Sequence, residues 1–158
     1  MNSSLQIWSP TVLAILRIVT GFLFLQHGSM KLLGFPYDAK QAATPIASLE
    51  GVAGLLELPG GCLIMLGLLT RPVAFLLSGE MAVAYFIAHA PQGHVLSPFL
   101  NHGELAVLYC FIFLYLVFAG PGAWSVDARV RSTVRRSVLP EPRAQGSLAH
   151  QSKSTERE

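Results

Sequence analysis

Four apolar runs of similar length dominate this sequence, at residues 11–33, 49–69, 72–90 and 101–119. Each comes close to the ~20 residues that a helix rising ~1.5 Å per residue needs to cross a hydrocarbon core of ~30 Å. Lipid offers no water to unpaired N–H and C=O groups, so runs that cross it must be helical. Charged residues make up 13% of the chain, about half the ~25% of a soluble domain, too few to cover a soluble surface. The sequence therefore predicts an all-α fold, an integral membrane four-helix bundle with a polar cytoplasmic C-terminal tail.

The 158 residues divide into a short N-terminal segment (1–10), a transmembrane domain (11–128) and a basic tail (129–158) expected to be largely disordered. After about residue 138 the chain is polar, with Pro and Ser and almost no apolar face to bury. The first run does not read as a signal peptide. Residues 1–10 contain no Lys or Arg, and Arg17 and His27 lie inside the run. Seven of the 11 Lys and Arg residues follow Trp124. Beside a membrane such a tail points to orientation and to contact with anionic lipid, not to nucleic acid. With four spans both termini share a side. The positive-inside rule places that side, with Arg71 and the tail, in the cytoplasm, and residues 34–48 and 91–100 outside.

Ionisable residues inside spans are costly and normally face a bundle interior or a wet cavity. On the first span Arg17, Gly21, Phe24, Gly28 and Lys31 share a helical face, and His27 lies on the same stripe. On the second, Glu50, Gly54, Glu57, Gly61 and Ile64 repeat the spacing, so a cationic face meets an anionic one. The fourth offers Glu104, Leu108, Phe111 and Tyr115, with Asn101 and His102 near its start. The third has two faces, Glu80 with Ala84 and Ala88, and Ser78 with Ala82, Tyr85 and His89; the pattern does not choose between them. Arg17, Lys31, Glu50 and Glu104 sit near span ends, where snorkelling is the bland explanation. Glu57 and Glu80 lie deeper and must pair, protonate or touch water. The candidate ligand-binding set is His27, Lys31, Glu57 and Glu104, supported by Arg17, Glu50, Glu80 and His102. A purely structural ion-pair network is the alternative, and no residue is assigned a catalytic role.

Cys62 and Cys110 form no CxxC and have no metal-ligand spacing, so both read as free thiols. His27, His89 and His102 lie toward the outer side, but no two share a helical turn, which argues against haem or another metal.

Several segments resemble one family. His27-Gly28-x-x-Lys31 ends the first span; Glu57-x-x-Gly60-Gly61 and Gly67-x-x-Thr70-Arg71 mark the second. The fourth opens with Asn101-x-Gly103-Glu104 and leaves through Gly120-Pro121-Gly122-x-Trp124-Ser125-x-Asp127. Over roughly residues 11–128 the chain is similar to DoxX proteins; Glu80 and the tail lie outside that pattern. The resemblance implies a four-helix inner-membrane protein. Its relatives include DoxD-type subunits of thiosulfate:quinone oxidoreductase and DoxX proteins linked to oxidative-stress and thiol-redox partners. The leading expectation is a quinone-linked subunit, with His27, Lys31, Glu57 and Glu104 around the quinone head, no covalent cofactor, and a redox protein or oxidoreductase subunit supplying electrons. Two alternatives stay open: a non-enzymatic membrane anchor for a redox complex, and a small-solute or proton transporter, which the absence of inverted repeats weakens. A homo-oligomer is compatible with the sequence. In the exit motif Ser125 and Asp127 are expected to cap a short helix that lays Arg129, Arg131 and Arg135 on the lipid surface.

Overall fold

The computed structural model describes residues 3–37 and 44–138, which form five α-helices and, among the described residues, no strand. Helix α1 is Ser3–Leu33, α2 Leu49–Leu66, α3 Thr70–Ala84, α4 Glu104–Ala119 and α5 Val126–Val138. A π-helical turn, Tyr85–His89, and a 3-10 turn, Ala90–Gln92, prolong α3. The spans Leu5–Leu33, Leu49–Leu66 and Thr70–Gln92 are long and apolar enough to cross a membrane. The 16 residues of α4 are as apolar but shorter.

Each boundary has a local cause. Helix α1 runs through Pro10 instead of starting after it, so residues 3–10 extend the first span. Ser48 accepts a hydrogen bond from the Gly51 N–H at 3.0 Å and caps α2. That helix stops at Leu66, short of the expected 69, because Gly67 turns left-handed (φ 69°). The Leu68 N–H then bonds back to the Leu63 carbonyl at 3.0 Å, completing a Schellman closure. Helix α3 begins two residues before Pro72, since a proline in the first turn forfeits only an N–H that has no partner there. Helix α4 starts at Glu104, not 101, because His102 has a positive φ of 57° and the Asn101 side chain accepts the Gly103 N–H instead.

Two hairpins make the bundle. Helix α1 packs along most of α2 and α3 along α4, whereas α2 meets α3 over a shorter stretch and α1 barely meets α4. The α1–α2 seam is close because Gly21 and Gly61 face each other. A Cβ on Gly21 would lie 2.6 Å from the Met65 nitrogen, and one on Gly61 2.6 Å from the Leu25 nitrogen. Phe24, Ile64, Leu77, Phe113 and Leu116 fill the centre. Large apolar side chains such as Phe22, Phe75, Phe86, Phe111 and Phe118 point outward, as a lipid-facing surface requires.

Helix α4 turns a different face inward from the one its sequence suggested. Ala106, Tyr109, Phe113 and Leu116 are buried, while Glu104, Leu108, Phe111 and Tyr115 are exposed. On α3 the two faces have separate uses. Ser78 donates to the Cys110 carbonyl of α4 at 2.9 Å, whereas Glu80, Ala84 and Ala88 line a cavity.

Candidate functional site

The polar residues of the bundle separate into two places. At one end Arg17 is fully buried (0% exposed) among carbonyls. Its Nε donates to Pro121 O at 2.8 Å, one Nη to Ile64 O and Met65 O at 2.6 and 2.5 Å, and the other Nη to Trp124 O at 3.2 Å. The Ile64 and Met65 carbonyls end α2, where the helix dipole favours a cation. Arg17 thus joins three elements by its rigid fork and does not snorkel. The Ala123 N–H adds a bond to the Pro10 carbonyl at 3.0 Å. Ser125 caps α5 as expected, accepting the Ala128 N–H at 3.1 Å. Asp127 does not: its carboxylate accepts the N–H groups of Leu69 and Thr70, each at 2.9 Å, and so caps α3. Burial works against its charge, but these hydrogen bonds and nearby Arg131 hold its carboxyl below the usual carboxylate range. The Gly67-x-x-Thr70 and Gly120-to-Asp127 motifs are therefore one structural clasp.

At the other end a cavity of about 660 Å³ opens between the hairpins, within the ~300–1,000 Å³ of small-molecule sites. It gathers His27, Lys31, Glu50, Glu57, Glu80 and His102 from α1, α2, α3 and the turn before α4. Glu57 is 2% exposed, and its Oε1 accepts a hydrogen bond from Lys31 Nζ at 2.5 Å. Its other oxygen, Oε2, is buried with no partner in the protein, and so are both carboxyl oxygens of Glu80. His27 stands edge-on to Tyr109, ring centroids 5.8 Å apart. Glu50 lies at the rim, 3.5 Å from the Thr44 hydroxyl, and His102 is exposed there.

Two of the residues expected from the sequence are absent from this constellation. Glu104 is exposed and does not line the cavity, because α4 is rotated to bury Ala106 and Tyr109. Arg17 belongs to the clasp. The sequence reading missed Tyr109, which meets His27 and also lies 5.1 Å from Phe24 between ring centroids. In a helix this uniformly apolar no period sets it apart.

The DoxX family model matches residues 12–90. The chain is 44% identical to an uncharacterized protein of Haemophilus influenzae, over 79% of this chain and 95% of the relative. It is 31% identical to the inner membrane protein YphA of Escherichia coli, over 76% of this chain and 91% of the relative. It is 32% identical to an uncharacterized membrane protein of Mycobacterium tuberculosis, over 77% and 82%. No solved structure matches. Helices of membrane-crossing length, their lipid-compatible exterior and this likeness over most of the sequence lead to one identification: the chain is a membrane protein of the DoxX family.

Proposed function

We propose that the chain is a quinone-linked subunit of the inner membrane, with four crossing helices and both termini in the cytoplasm. The observation that carries this reading is the set of orphaned acceptors, Glu57 Oε2 and the two Glu80 oxygens, in an otherwise apolar cavity. Buried polar atoms without partners are costly, and a ligand with polar groups on a small ring would satisfy them. The two O–H groups of a hydroquinone would meet these acceptors, and the quinone–hydroquinone pair would supply a two-electron, two-proton couple. Lys31 keeps N–H donors beyond its bond to Glu57, enough to hold a ring carbonyl. Glu57 and Glu80 accept from ring hydroxyls and hold protons, and His27 is placed to pass one on. Phe24, Leu56 and Met81 supply apolar walls. Protein side chains of these kinds do not carry electrons, so a redox partner delivers them. Relatives named as inner membrane proteins support the location.

Mass spectrometry of lipid extracts from the purified protein tests this reading. Quinone near one per chain is the expected result. A co-purifying soluble protein with no quinone would replace the reading with that of an anchor.

A further inference from the structure

We infer that the cavity is loaded sideways from the membrane through a cleft between α2 and α3, and that its ligand carries an apolar chain which lies in that cleft. The inference rests on reading the cavity as a ligand site and adds the class of ligand: a lipid-phase amphiphile, polar at one end.

The cleft is built by residue size. Near the clasp, α2 and α3 touch closely: a Cβ on Gly60 would lie 2.8 Å from a Leu77 methyl group. One turn further along each helix, Glu57 and Glu80 follow, with their unpartnered oxygens. Beyond them Ala53 and Ala84 line the two walls, too small to bridge the gap, and both border the cavity. The walls end in Leu49 on α2 and Val83 and Ile87 on the α3 side. These three belong to the cavity lining yet are 63%, 53% and 51% exposed, so the cavity reaches the outer surface there. That surface is apolar and continuous with the lipid-facing side of the bundle, where Val52, Phe86 and Leu55 are also exposed.

On the opposite flank aromatic rings fill the gap beside Phe24, although Leu105 of α4, which also lines the cavity, is exposed nearer the rim. Phe24 of α1 packs edge-on against Tyr109 and Phe113 of α4, with centroids 5.1 and 4.8 Å apart. The α3 wall also departs from α-helical geometry beside the cleft, in the π-turn Tyr85–His89, a feature frequent at functional sites. A head group held by Lys31, Glu57 and Glu80 at the cleft's narrow end would place its chain along the apolar path between Ala53 and Ala84, away from the polar rim at Glu50 and His102. The Leu49, Val83 and Ile87 side chains then cover it where it meets lipid.

The first test needs no ligand. A nitroxide is attached at Ala84→Cys in a protein carrying Cys62→Ala and Cys110→Ala, reconstituted in lipid vesicles. Phe75→Cys, on the outward face, and Gln92→Cys, at the helix end, are references. The cleft predicts that the label at residue 84 collides with oxygen as at residue 75 and is hidden from a water-soluble nickel chelate. Access for the chelate as at residue 92 would make the site water-fed and overturn the inference. So would exclusion of both probes, which would mean a closed cleft.

The second test titrates decylubiquinone, and the same head group without its tail, into nanodiscs holding the wild type or Ala84→Phe. The tail should strengthen binding about tenfold or more, and Ala84→Phe should remove that gain while leaving the tailless form unaffected. Equal affinities for the two forms would overturn the inference. A protein that passes the nitroxide test but binds neither form retains the cleft and loses the quinone.

Discussion

Lys31 and Glu57 form the ion pair found among the described residues, with Glu57 almost fully buried and Lys31 partly exposed. Such pairs are weak stabilisers as units, yet breaking one leaves a buried group without its partner. Glu57→Gln keeps the shape and removes the charge. It should cost ~1–3 kcal/mol and weaken ligand binding about tenfold or more. Lys31→Met should cost a similar amount, and the double variant should recover most of the stability but none of the binding. Thermal unfolding and ligand titration on the four proteins check this. Full recovery of binding in the double variant would show that the pair only holds the helices together. Arg17 differs in kind, because its guanidinium serves carbonyls of three segments. Arg17→Lys preserves the charge but cannot span that set. It should lower stability by about 3 kcal/mol, read as a fall in Tm, with ligand affinity in the surviving folded protein unchanged.

Among the helices, α1 and α2 were legible from the sequence and α4 was not, for a physical reason. In α1 and α2 a few charges and glycines interrupt apolar runs at a helical spacing, so Arg17, Gly21, Phe24, Glu57 and Gly61 mark the buried face. In α4 both faces are apolar, because one meets lipid and the other the core. Glu104 lies at its first turn, where solvent is near, and so gave no direction for the residues below it. Asp127 was misassigned for another reason: its capping targets, Leu69 and Thr70, are remote in sequence. Asp127 ties α5 to the N-terminus of α3, and Asp127→Asn should cost about 1 kcal/mol. The pH dependence has a definite sign. The folded carboxyl has a lowered pKa, so its stabilisation is present above the unfolded value, near pH ~4, and is lost as pH falls through the folded one. The gap in Tm between wild type and Asp127→Asn should be constant from neutral pH to about pH 5 and close below about pH 4. A gap that persisted in acid would mean that the stabilisation lost in Asp127→Asn does not depend on the carboxylate charge.

At the scale of the whole molecule, the clasp fixes which ends of the helices lie together. The Ala123 N–H reaches the Pro10 carbonyl, and Arg17 joins the end of α2 to the segment that follows α4. The start of α1, the α2–α3 turn and the exit of α4 therefore share one end of the bundle, and the cavity with Lys31 and His102 lies toward the other. Helix α4 runs the distance between those ends, as α1, α2 and α3 do. Its 16 residues cover about 24 Å, and the turn formed by Asn101, His102 and Gly103 completes the passage. The four passes proposed above fit this arrangement, although α4 alone falls short of a typical span length. The clasp end also carries Arg71 and the exposed Arg129 and Arg131, which under the positive-inside rule supports the proposed cytoplasmic placement of that end. Two single-cysteine proteins, each lacking Cys62 and Cys110, test the arrangement in intact cells with a membrane-impermeant maleimide. Gln92→Cys, at the cavity end, should be labelled in whole cells, and Ser132→Cys, on α5, only after the membrane is opened. Labelling of both in whole cells would put the two ends on one side, which an α4 that turned back within the membrane would produce. Labelling of Ser132→Cys alone would keep the four passes and invert them, placing the cavity end in the cytoplasm and the arginine clasp outside.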